Sequence, residues 1–152
     1  MKIMDFLCAD AISVDLQGQT KEEVIKELSQ LLYKAKKIKD VNSVVKILME
    51  REELGSTGIG QGIAIPHGKA EAVKNIIAAF GISKKGVDFE ALDGEPVNLI
   101  FLLIAPHDSA GAHLKALAKI SRLLKDKFFR QALRESNDAK EVLKIIKEED
   151  EY

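Results

Sequence analysis

Leu99 to Ala105 is an unbroken apolar run of seven residues, and Val97 to Ile104, closed by Pro106, is the strongest strand signal in the chain. Such a run has to be buried, and it falls far short of the ~20 residues that span a bilayer. The neighbouring segments must therefore cover it. Ile76 to Ser83 reads as a second buried strand, followed by a turn at Lys84, Lys85 and Gly86, a short strand from Val87 to Phe89 and another turn at Asp93 and Gly94. Near the start, Ile12, Val14 and Leu16 alternate as a short strand that Gly18 breaks. Thr20 with Glu23 forms a capping box ahead of Val24, Leu28, Leu31, Leu32 and Ala35, which predicts a helix over 21–36. Val41, Val44, Val45 and Leu48 mark a second amphipathic helix that runs to Glu53, with Arg51 in its last turn and Gly55 as its stop. After Pro106, the residues Leu114, Leu117, Ala118, Ser121 and Leu124 share one helix face, and Phe128 to Leu133 forms a short helix. Asp138 with Glu141 caps a last helix that buries Ala139, Val142, Leu143 and Ile146, and Lys147 to Tyr152 reads as a solvated tail. Helices at both ends of a block of strands predict one α/β domain over 1–152, with a central mixed sheet and helices on both faces.

A chain of 152 residues can bury a core without metal or disulfide staples. Lys plus Arg number 23 against 24 Asp plus Glu, a net charge of −1. That balance offers no electrostatic footprint for nucleic acid or an anionic membrane. Cys8, the single cysteine, has no partner for an internal disulfide or a CxxC pair and reads as a small apolar residue. The N-terminus meets acid at Asp5 before any signal-like apolar stretch, so the expected location is the cytoplasm.

Chemistry is most concentrated between the second helix and the strands. Gly55, Gly58, Gly60 and Gly62 lead into Ile63, Ala64 and Ile65, a short strand that ends at Pro66, His67 and Gly68. His67 thus stands where a buried strand surfaces, stiffened by the proline and left open by Gly68. On these residues alone it is either a functional imidazole or a structural surface histidine. The glycine segment, with Ser56 and Thr57, either turns its N–H groups into an anion-sized concavity or is a flexible loop. It is not a Walker A loop, because no Gly-Lys-Ser/Thr follows, nor a dinucleotide fingerprint, because it leads into a strand instead of out of one. No Gly-x-Ser-x-Gly elbow and no HExxH zinc motif are present.

Arg51-Glu52-Glu53-Leu54-Gly55, then Gly62-Ile63-Ala64-Ile65-Pro66-His67-Gly68, with His113-Leu114 about 45 positions on, resembles the IIA domains of the bacterial phosphoenolpyruvate-dependent sugar phosphotransferase system. The similarity is to the fructose and mannitol class and its nitrogen-regulatory relatives, and it extends over essentially the whole chain. It implies a histidine phosphocarrier that takes a phosphoryl group from the phosphocarrier protein HPr and passes it to a cysteine of a IIB domain. His67 matches the accepting histidine, His113 the second active-site histidine and Arg51 the arginine after the second helix. No cofactor or metal is implied, and the membrane is reached only indirectly, through a permease.

The residue types suit that chemistry. A neutral imidazole is a good nucleophile at physiological pH, and phosphoryl transfer asks mainly for positioning and for charge around the equatorial oxygens. Arg51 is either a bidentate cation for that charge or a solvated helix residue, and His113 either a donor to the phosphoryl group or an ordinary helix residue. Ser56, Thr57 and Gly68 are expected at the phosphoryl-binding rim, and His107 and Asp108 at a solvent or partner contact. Ile59, Ile63 and Ala112 are expected to form an apolar docking ring. Two alternatives share the residues. One is a nitrogen-type regulator whose phosphorylation state controls partner binding, which a cognate IIB domain would not discharge. The other is a metal-dependent hydrolase built on His67, His107 and His113, which requires a stoichiometric metal.

Overall fold

The computed structural model describes residues 1–151, so Tyr152, the end of the expected tail, lies outside the described residues. After a 3-10 turn at Ile3–Asp5, the elements are β1 (Leu7–Ser13), α1 (Lys21–Lys34), α2 (Val41–Glu53), β2 (Gly58–Gly60), β3 (Ile63–Ala64) and β4 (His67–Lys69). Then follow β5 (Ile77–Val87), β6 (Val97–Ala105), α3 (Ala110–Leu124), α4 (Lys127–Arg134) and α5 (Ala139–Asp150).

The apolar run becomes β6, the centre of a mixed six-stranded sheet of order β1-β5-β6-β3-β2, with β4 also on β6. β5 is antiparallel to β6 and parallel to β1, while β3 and β4 run parallel to β6. Both faces of β6 are covered. Ile100, Leu102 and Ile104 join Val24, Leu28, Leu32, Val44 and Leu48 under α1 and α2. Leu99, Phe101 and Leu103 join Ala116, Ile120, Leu124, Val142 and Ile146 under α3 and α5. The predicted α/β class with helices on both faces is the observed one. Helix starts follow their caps: Thr20 and Glu23 close a reciprocal box, Asp40 accepts from Ser43 N–H, and Asp138 accepts from Glu141 N–H.

Four expectations give way. The first strand occupies 7–13, earlier than the 12–16 alternation, although Leu16 N–H still bonds the Ile82 carbonyl at 3.0 Å. The turn expected at Lys84–Gly86 is an irregularity within one strand. Gly86 takes φ +86° there, and Val87 rejoins the ladder opposite Val97. On α3 the buried stripe is His113, Ala116, Ile120, Leu123 and Leu124, so the face lies one residue from the expected one and Leu114 is 68% exposed. Lys147 to Asp150 of the charged tail belong to α5, and Asp150 is buried with its carboxylate accepting the Ile3 and Met4 N–H groups at 2.9 and 3.0 Å.

Candidate functional site

Pro66 has no N–H, so it interrupts what would otherwise be one strand over 63–69 and leaves β3 and β4 as separate pieces. Register against β6 is kept across the gap: Ile63 and Ala64 lie opposite Leu99 and Ile100, and His67 opposite Leu103. Alternation therefore still governs which way side chains point. Gly68 faces α2, where a Cβ would stand 2.8 Å from Ile47 Cγ2. The glycine is required by this close helix approach, so the expected clearance for a ligand is not its structural reason. His67 and Lys69 face the other way, toward α3.

The His67 ring meets the His113 ring edge-on, with centroids 5.6 Å apart at 78°. His67 Nδ1 is 2.7 Å from the Ile65 carbonyl oxygen. A carbonyl only accepts, so Nδ1 carries the proton and Nε2 keeps its lone pair. Burial holds the His67 pKa below the ordinary histidine value; the Arg51 charge pushes the same way, against the Ile65 bond and Glu52. The His113 pKa is also lowered, by burial first and then by the charges of His67 and Lys69. His113 is only 7% exposed, and its Nε2 is buried without a hydrogen-bond partner. Two imidazoles whose pKa values burial lowers thus meet edge-on, and a cation acts on each, Arg51 on His67 and Lys69 on His113. Arg51 comes from the last turn of α2, where its guanidinium donates to the Gly55 carbonyl at 2.8 Å.

His67, His113 and Arg51 are brought together through contact or field. Lys69, on the same strand face two residues beyond His67, is a site residue that sequence reasoning missed. Its i, i+2 relation to His67 would have found it had the chain been read as extended past Pro66. Ser56 and Thr57 spend their hydroxyl protons elsewhere: Ser56 donates to the Phe89 carbonyl and Thr57 to the Glu52 carboxylate. The glycine segment is no anion concavity. It forms the β2–β3 hairpin, and three of its amides are answered from within the chain: Thr57 N–H by Glu52, Gly58 N–H by the Ser56 hydroxyl and Gln61 N–H by Asp93. His107 lies in a cleft with Ile38, Val44 and Ile47, and Asp108 lines another with Cys8 and Lys36. Among the described residues no three His, Cys, Asp or Glu side chains are grouped to hold a metal ion, and no helix is long and apolar enough to cross a membrane.

Of the expected docking ring, Ile63 is core at 2% exposure, whereas Ile59 is exposed and Ala112 half-buried. Further exposed apolar residues flank the site in sequence: Leu54 ends the Arg51 helix at 86% exposure, and Leu114 follows His113.

The chain is 40% identical over 150 residues to the PTS system fructose-specific EIIABC component of Bacillus subtilis, covering 99% of this chain and 24% of that protein. It is 39% identical over 148 residues to a nitrogen regulatory protein of Bradyrhizobium diazoefficiens, covering 96% of this chain and 95% of that one. Among solved structures, nitrogen regulatory protein IIA-Ntr from Neisseria meningitidis superposes with a TM-score of 0.88 at 37% identity, covering 95% of this chain and 98% of the other. Residues 5–149 match the family described as phosphoenolpyruvate-dependent sugar phosphotransferase system, EIIA 2, and to that family the chain belongs.

Proposed function

We propose that this protein is a cytoplasmic phosphocarrier in which His67 Nε2 accepts a phosphoryl group from phospho-HPr and yields it to a IIB cysteine. The observation that carries this reading is the Nδ1–H bond to the Ile65 carbonyl, which leaves Nε2 unprotonated on a ring that meets the His113 ring edge-on, where His113 Nε2 is itself unpartnered. In the first step the Nε2 lone pair forms a P–N bond as the donor's P–N bond breaks, and the donor imidazole keeps the released electron pair. In the second, a thiolate attacks phosphorus and His67 leaves as the neutral imidazole. The group that moves is a loose, metaphosphate-like species, so the protein's task is positioning and charge. His113 fits a donor to a phosphoryl oxygen, an interaction that would satisfy its orphaned nitrogen. Arg51 fits a fixed cation at the negative end of its helix, and Lys69 a second positive charge.

The fructose-specific relative favours a role in sugar uptake. A second reading, a regulator whose phosphorylation state controls partner binding, is favoured by the nitrogen regulatory relative and by the 0.88 TM-score of IIA-Ntr. Intact-mass spectrometry after incubation with phosphoenolpyruvate, enzyme I and HPr tests the shared chemistry. One acid-labile phosphoryl adduct is expected, absent from His67→Ala; an adduct that survives that substitution overturns the assignment. Discharge by a IIB domain then separates carrier from regulator.

A further inference from the structure

A continuous series of polar contacts leads from the start of α1 to the His67 ring. Lys21 Nζ lies 3.0 Å from a carboxylate oxygen of Glu52, and both side chains are nearly closed to solvent. Glu52 takes the Thr57 N–H at 3.2 Å and the Thr57 hydroxyl. The Thr57 carbonyl accepts the Ile65 N–H at 3.0 Å, and the Ile65 carbonyl accepts His67 Nδ1–H at 2.7 Å. Burying a carboxylate and an ammonium is costly and brings little net stability compared with apolar residues of similar volume. The pair therefore calls for another account.

The peptide between Ile65 and Pro66 supplies one. Pro66 has no N–H, so this unit has no donor of its own to fix the direction of its carbonyl. That direction is set by the two neighbouring bonds, Ile65 N–H to Thr57 and Leu103 N–H to the Pro66 carbonyl at 2.9 Å. The Ile65 carbonyl in turn selects the His67 tautomer. We propose that Glu52, held by Lys21, is a positioning residue for His67: by fixing Thr57 it aims the Ile65 carbonyl and keeps the imidazole proton on Nδ1. Arg51 braces the same turn from the neighbouring position through Gly55, so two adjacent residues of α2 set both the field at the acceptor and its orientation.

The proposal rests on the phosphocarrier reading, and its test separates the two. The intact chain is prepared as wild type, as Thr57→Val and as the double variant Lys21→Met/Glu52→Gln, which leaves no unpaired buried charge. Nitrogen-15 NMR of the histidine rings reads the tautomer, and the HPr-dependent rate of phosphorylation reads transfer. Wild type is expected to hold His67 as the Nδ1–H tautomer. Both variants are expected to populate the Nε2–H form and to accept phosphate roughly tenfold more slowly, the lower end of what lost outer-shell partners cost, while Lys21→Arg keeps the wild-type ring signals. Unchanged His67 ring signals in a folded variant overturn the proposal, as does an altered tautomer with an unaltered rate. If wild type takes no phosphoryl group, the carrier reading fails and the tautomer alone still decides this one.

Discussion

The two sides of β4 are built on opposite terms. Toward α2 the strand presents a bare glycine, so close that a Cβ would press on Ile47; toward α3 it presents an imidazole and an ammonium beside a second imidazole. One side is a packing surface with no tolerance for volume, and the other is a polar pocket with a nitrogen left unpaired. Strand alternation makes the division possible within three residues, because neighbours on a strand cannot share a face. The close side sets where the strand lies, and the open side uses that position for chemistry.

The comparison breaks first at Gly68. Gly68→Val puts a branched side chain against Ile47, and urea denaturation should show a loss of about 3 kcal/mol, the upper end of overpacking costs; a loss under about 0.5 kcal/mol would mean that α2 does not fix the strand. On the other side the sign reverses. His113→Leu removes a buried, unpartnered nitrogen and should raise stability by about 1 kcal/mol, while phosphoryl acceptance falls; a stabilised variant with full activity would take His113 out of the chemistry.

Acid sharpens the same contrast. Burial holds the pKa of both His67 and His113 below the ordinary value of about 6.5, so the unfolded chain takes up protons that the folded one resists. Stability should be full above that pH and decline as pH falls through it, until the lower folded-state values are passed. Thermal melts of wild type against His67→Gln/His113→Leu check this, the double variant losing less on acidification. The smallest effect belongs to Gly111 in the first turn of α3, where a Cβ would meet nothing within 4 Å. Gly111→Ala should stabilise by about 0.5 kcal/mol in the same urea assay.

Local chemistry was legible where it acts locally. The caps at Thr20 and Asp138 gave helix starts within a residue of those observed, and Arg51, His67 and His113 were found because short motifs carry them. What escaped depends on partners distant in sequence. β4 was hidden because Pro66 and Gly68 argue against a strand, yet pairing with β6 overrides them. Lys84, Lys85 and Gly86 have turn composition, but a strand long enough to pair both with β1 and with Val97 absorbs them as an irregularity. The α3 face was misplaced because its buried stripe includes a histidine that hydrophobic periodicity does not count. Glu52 stands in the Arg51–Gly55 run, but nothing there separates it from the other acidic residues of its helix; it is distinguished only by Lys21 and Thr57 folding over it.

The carboxylate of Asp150, which seizes the amides of Ile3 and Met4 with Lys119 at 4.0 Å, stitches residues 147 apart in sequence. The two ends of the fold therefore sit side by side. A short flexible link between them, with new ends opened at the exposed Lys36–Lys37 turn, would give a circularly permuted chain with every sheet pairing intact. The same adjacency lets such a unit be spliced into a larger polypeptide through one narrow doorway on its surface.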